Sequence, residues 1–210
     1  MFSHKLHVVL LESLMMTEKK NVVTNSTVEL TIDNFTLQSI GAYMLFSQID
    51  EVVSQDLCEF IIKSNYILPV EQPITILINS PGGGVYDAFG IIDLMESSKL
   101  KISTVGIGMV ASMAALIFSA GTKGMRTMSR NSFIMTHQFS QNLEGRYHEF
   151  IAQRTHEDDL HERFIQHFVR HTKMSEKQVN DILLGTSDKW ITAKESLKYG
   201  ICDYVKDPWS

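Results

Sequence analysis

Ser112, His137 and Asp188 have between them the chemistry of a serine hydrolase. Ser112 opens an alanine-rich helical run in GMVASMAALIFSAG, His137 stands alone in IMTHQ, and Asp188 is the acid of SDKW. A serine hydroxyl is a poor nucleophile until a base takes its proton, and an imidazole base needs a third group to hold the right tautomer. Each residue also has a plainer reading. A serine at a helix start usually caps the helix, a histidine after a β-rich run is usually a satisfied interior residue, and an acid before Trp190 usually belongs to a loop or cap.

Acyl transfer also needs donors for the negative charge that develops on the carbonyl oxygen. Helix-start amides lack intrahelical acceptors, so the Met113 N–H is a natural oxyanion donor. The turn Ser80-Pro81-Gly82-Gly83-Gly84 follows the apolar run ITILIN and can present bare amides, with Gly83 as the second donor. Gly84 and Val85 are placed to pair with an extended substrate as an added strand. PGGGVYDAFG carries neither GxGxxG nor a P-loop lysine, which disfavours nucleotide binding. ASMA lacks the glycines of the GxSxG elbow.

The elements that must hold these residues alternate between short β-rich runs and helical patterns, the signature of an α/β fold with mainly parallel strands. Strands are expected at Tyr43 to Ser47, Ile74 to Asn79, Ile102 to Ile107, Ser132 to Thr136 and Ile201 to Val205. Helical spacing joins Val53, Leu57, Phe60 and Ile61, and again Val85, Ala88, Phe89, Ile92 and Met95. Ser175 to Gln178 and Thr192 to Glu195 fit the capping-box pattern, and Gly200 sits where a helix should stop. Residues 145–171 read as one helix, roughly 40 Å long, with no internal proline or glycine. Phe150, Ile151, Leu160, Phe164, Ile165 and Phe168 make it too apolar for a solvated arm, so it is expected to project and pack against another subunit; folding back on its own domain is the alternative. Residues 1–43 form a divergent N-terminal segment with no firm pattern. Residues 44–210 are expected to be one domain.

Composition removes several function classes. The formal charge of -5 and the lack of a concentrated basic face disfavour nucleic acid and anionic membrane partners. Cys58 and Cys202 lie far apart without metal-ligand spacing and read as buried thiols of a reducing compartment. No run reaches about 18 uninterrupted apolar residues, and the start of the chain lacks a secretory pattern, so the expected location is the cytoplasm.

The strings INSPGG, GMVASM, AGTKGMR, a His-Gln pair, and Asp-x-aromatic before a short helix ending YG occur in the order of the Clp protease proteolytic subunits, the ClpP family, which this chain closely resembles over about residues 44–205. The resemblance implies a crotonase/ClpP-like core of repeated β-β-α/βαβ units with a projecting handle helix at about 145–171. It implies Ser112 as nucleophile, His137 as general base and acid, Asp188 as the residue orienting His137, and Gly83 and Met113 as oxyanion-hole positions. It also implies a homo-oligomer of heptameric rings stacked in pairs, which cleaves peptides or unfolded proteins fed by an AAA+ Clp unfoldase, without any cofactor or ATP of its own. The chain departs from the family pattern at Phe139-Ser140-Gln141-Asn142, where a Pro and a glycine-rich strand are usual, at Ser187, where arginine is common, and at Thr75 and Leu77, where tyrosines are frequent. The RGER-type axial loop is also missing. These departures bear on the substrate cleft, on a ring contact that cannot rely on the arginine ion pair, and on docking of a standard unfoldase.

Five of the eight histidines fall in the expected handle: His148, His156, His161, His167 and His171. They suggest a pH-sensitive subunit interface. His167 and His171 are at metal-ligand spacing, but no third ligand is recognisable and no metal is expected. Two other readings differ in class: a non-catalytic or modulatory ring subunit, which has no need of all three triad residues, and an acyl-CoA enzyme sharing the oxyanion logic of helix-start amides.

Overall fold

The structure is a computed structural model that describes residues 37–138 and 147–207, with backbone only for 147–153. The described residues all lie in one compact unit, Thr36–Ser210.

Five strands form a parallel sheet in the order β1 (Ala42–Leu45), β2 (Ile74–Ser80), β3 (Ile102–Ala111), β4 (Arg126–Met128) and β7 (Tyr204–Val205). β2 shows why these residues make a strand. Ile74, Ile76 and Ile78 alternate with less buried neighbours and are each 0 % exposed, worth about 1.5–3 kcal/mol apiece on burial. β1 pairs through Ala42–Thr75, so the sheet begins just ahead of the expected boundary at residue 44. A 3-10 turn, Leu37–Ile40, precedes it.

β3 serves two partners. Its first half pairs with β4 through Thr104–Gly106, and its second half pairs in parallel with β5 (Phe133–Thr136) through Met109–Ala111. The register against β2 slips between Ile78 and Ser80, and Gly108 at φ +65° turns the strand there. Asn79 Oδ1 accepts from the Met109 N–H at 3.1 Å, occupying a group the slip would otherwise leave open. β6 (Lys189–Thr192) then adds to β5 antiparallel.

Helices cover the sheet. α1 (Glu51–Ile67) is capped by Asp50, whose side chain accepts from the Val53 N–H, and it packs on α2 (Val85–Ser97). α3 (Met113–Ser119) is buried along its whole length. α4 (Tyr147–His171) corresponds to the expected handle. Both expected capping boxes form, at Ser175 before α5 (Glu176–Gln178) and at Thr192 before α6 (Ala193–Tyr199), and Gly200 ends α6 at φ +73°.

Three expectations need correction. β4 and β6 are not among the expected strands, because β4 has only three residues and β6 buries only Ile191 of its four, and the strand expected at 201–205 is only Tyr204–Val205. The apolar residues of α4 are not mainly an intersubunit surface. Leu160, Phe164, Ile165 and Phe168 are buried in the chain's own domain against α3, whereas Arg154–His156 and Asp158–Asp159 are exposed; the side chains of Phe150 and Ile151 lie outside the described residues. The described handle histidines do not form one titratable face either, and the His148 side chain lies outside the described residues. His161 meets Asn180 Oδ1 at 3.1 Å, and burial pushes His167 down to about 3 and also lowers His171, so neither of these two charges near neutrality.

Candidate active site

The nucleophile candidate sits between β3 and α3 in a conformation few residues adopt. Ser112 has φ 53° and ψ -125°, the one positive-φ non-glycine among the described residues. Such a backbone costs on the order of 1–3 kcal/mol and persists where surroundings impose it. Although Ser112 occupies the N-cap of α3, its side chain makes no capping hydrogen bond. The hydroxyl instead lies 2.9 Å from His137 Nε2. That contrast decides against the simple capping reading of Ser112.

His137 reaches the serine because of strand register. The Ser112 N–H donates to the Met135 carbonyl at 2.7 Å, and His137 lies two residues beyond Met135, on the same side of the strand by its period of two. The β5–β6 ladder ends at Thr136 paired with Lys189, so His137 and Asp188 are the next residues beyond it on the two strands, and Asp188 does not line the cavity beside Ser112. The Asp188 side chain is exposed, and among the described residues no hydrogen bond joins it to His137.

The glycine turn packs against the serine turn. Gly83 bridges Ile49 in parallel, with the Ile49 N–H donating to the Gly82 carbonyl and the Gly84 N–H donating to the Ile49 carbonyl, both at 2.8 Å. A Cβ on Gly83, at φ +152°, would fall 2.0 Å from the Ile49 oxygen. Among the described residues neither the Gly83 N–H nor the Met113 N–H has an acceptor. The Gly84 groups are already engaged, its N–H with Ile49 and its carbonyl with Ala88.

Gly83, Val85, Ser112, Met113 and His137 line a cavity of about 110 Å³ whose other wall is Leu116, Phe164, Phe168 and Leu184. That apolar wall was not read from the sequence, since Phe164 and Phe168 carry the helical stripe of α4 and nothing local links them to Ser112. Gln138 Nε2 donates to the Leu184 carbonyl at 2.9 Å, tying the wall to the residue after His137. Thr136 also lines the cavity; its buried Oγ1 has no partner among the described residues. The segment expected to differ in substrate clamping and ring contact, Phe139–Asn142, lies outside the described residues.

The sequence pattern of the Clp protease family matches residues 32–208. The chain belongs to the Clp protease family. It is 35% identical to ATP-dependent Clp protease proteolytic subunit 1 of Prochlorococcus marinus over 164 residues, 75% of this chain and 81% of the relative. It is 34% identical to proteolytic subunit 2 of Corynebacterium glutamicum, covering 77% of this chain and 79% of the relative. Over 207 residues it is 30% identical to proteolytic subunit 2 of Nocardia farcinica, covering 91% and 94%. Clp protease proteolytic subunits are serine-type endopeptidases, and the mixed α/β architecture with its central sheet and six helices is that of the family. Among the described residues no helix is long and apolar enough to cross a membrane.

Proposed function

We propose that this Clp family member cleaves peptide bonds through a covalent acyl-enzyme, with Ser112 as nucleophile, His137 as general base and acid, and Asp188 as the residue that orients His137. The carrying observation is the Ser112 hydroxyl, released from capping and 2.9 Å from His137 Nε2 at the mouth of a cavity. In the first step Ser112 Oγ attacks the scissile carbonyl while Nε2 takes its proton. The resulting oxyanion is held by the Gly83 and Met113 N–H groups, both without internal acceptors. His137 then gives the proton to the leaving amine, and water deprotonated by the same imidazole releases the acyl group. No cofactor or metal takes part.

The apolar wall of Leu116, Phe164, Phe168 and Leu184 favours an apolar substrate side chain beside the scissile bond. With Gly84 occupied by Ile49 and Ala88 and the Gly83 N–H given to the oxyanion, pairing with an extended substrate strand falls to the Gly83 carbonyl and to the Val85 N–H at the start of α2. Unfolded polypeptide is the matching substrate class. The relatives' printed names, ATP-dependent Clp protease proteolytic subunits, support a place as the proteolytic part of a larger ATP-dependent assembly. The assembly proposed from the family resemblance is heptameric rings stacked in pairs and fed by an AAA+ unfoldase that spends the ATP, in the cytoplasm.

One observation favours a second reading, a non-catalytic or modulatory ring subunit: Asp188 is exposed and makes no bond to His137. Hydrolysis of a short fluorogenic peptide by the purified chain beside its Ser112→Ala variant, with no ATPase present, separates the two. Turnover lost in the variant establishes the peptidase; no turnover in either protein moves the modulatory reading ahead.

A further inference from the structure

The two histidines one turn apart near the end of α4 have a third partner that lies far away in sequence. Glu96, near the end of α2, faces His167 and His171, and one donor atom from each lies within 4.8 Å of the others. His167 Nε2 is 3.0 Å from the Leu116 carbonyl and 2.9 Å from Ser119 Oγ. A carbonyl only accepts, so Nε2 carries the ring proton and Nδ1 keeps its lone pair. Among the described residues that Nδ1 has no hydrogen-bond partner. His171 Nε2 lies 2.9 Å from Glu96 Oε1.

We propose that Glu96, His167 and His171 bind a divalent transition-metal ion of the Zn²⁺ class, joining the end of α4 to the end of α2. Two imidazoles, one carboxylate and a water in the fourth position suit that ion. Holding Nε2 of His167 on a backbone carbonyl fixes its tautomer and ring direction, as an imidazole ligand requires. The metal takes the place of the proton between His171 Nε2 and Glu96, that ring proton moving to His171 Nδ1. Ligand bonds of about 2.0–2.2 Å put tetrahedral neighbours roughly 3.3 Å apart, so the His171–Glu96 contact opens slightly and the wider gaps close.

The competing occupant is Arg170, whose Nη1 sits 3.1 and 3.0 Å from the two Glu96 oxygens. Its side chain is 61% exposed and is free to swing into solvent, whereas Arg126, the other cation near His171, is held by Asp203. The site opens to solvent between Asp93, Glu162 and Arg163.

Zn²⁺ titration of the full chain in competition with a chromophoric chelator tests the site. Wild type should bind one equivalent per chain, at least about tenfold more tightly than Glu96→Gln or His171→Asn, and Arg170→Gln should bind more tightly still because the competing cation is gone. Zn²⁺ should raise the melting temperature of wild type and not of Glu96→Gln, a near-isosteric change at a partly exposed residue. Equal affinity in wild type, Glu96→Gln and His171→Asn, or no stoichiometric binding by wild type, overturns the proposal.

Discussion

Gly82 and Ser112 approach so closely that a Cβ on Gly82 would stand 2.7 Å from the Ser112 Cβ. The same atom would meet the Ala111 oxygen at 2.7 Å and the Met113 nitrogen at 2.9 Å, and the backbone of Gly82 is at φ +91°. Gly82→Ala should therefore displace the serine turn and the adjoining amide together. Peptide hydrolysis should fall by about 100-fold or more, because a misplacement near 1 Å has that effect. Circular dichroism should still report the sheet. Near wild-type turnover would mean the two turns are not rigidly coupled.

The strain at Ser112 is separable from its chemistry. Ser112→Gly adopts φ 53° without a Cβ penalty, so it should melt at a higher temperature than Ser112→Ala while both lack turnover. The stability gap between them should be on the order of 1 kcal/mol. A Ser112→Gly variant no more stable than Ser112→Ala would show that the turn relaxes freely.

Asp188→Asn tests the orienting role by rate alone. The residue is exposed and its loss removes no packing, so the melting temperature should hold. Turnover should drop by orders of magnitude, as when other triads lose the correct imidazole tautomer. An unchanged rate would assign the work to a Ser112–His137 dyad.

Arg126 and Asp203 provide an acid-sensitive joint between β4 and the residue before β7. Arg126 is 3% exposed, donates to Asp203 Oδ1 at 2.7 Å and Oδ2 at 2.9 Å, and also reaches the carbonyls of Ser119, His171 and Gly200. Burial alone would raise the Asp203 carboxyl, but the bonds from Arg126 and Gly124 outweigh it and hold it below the usual carboxylate range. With a folded pKa below the unfolded one, the contribution is complete above the unfolded value near 3.8 and is lost as pH falls through the folded value. Melts between pH 6 and pH 3 should decline more steeply for wild type than for Asp203→Asn. Arg126→Met at neutral pH should cost about 3–5 kcal/mol, since it strands a partly buried charge and three carbonyls.

The thiols should differ in reactivity. Burial pushes Cys202 up to about 12, whereas Cys58 is raised less and is only partly buried. Intact mass after brief maleimide treatment should show one adduct at Cys58, with Cys202 labelled only in denaturant. Equal labelling would place Cys202 within reach of solvent.

What could be read from the sequence was whatever carries its own local signal. β2 declared itself by alternating isoleucines, α5 and α6 by capping boxes, and the glycine turn by its composition. The relations that complete the site are long-range. The Gly83–Ile49 bridge, the placement of His137 through the Ser112–Met135 bond, and the Phe164–Phe168 wall join segments with no pattern in common. α4 was misjudged for a related reason. Its apolar residues could serve a partner or its own core equally well in sequence, and only their burial against α3 distinguishes the two. Glu96 failed to appear as a third donor because α2 and α4 meet only in three dimensions.

The bond from the Ser112 amide to Met135 makes the serine–histidine distance a property of sheet pairing. The two backbones are set by the pairing of β3 with β5 and not by the length of the chain between them. Separating the backbones of the pair means breaking the sheet, so what is left to vary in a folded chain is the serine turn against the glycine turn, the rotamers of the two side chains, and access of polypeptide to the cavity.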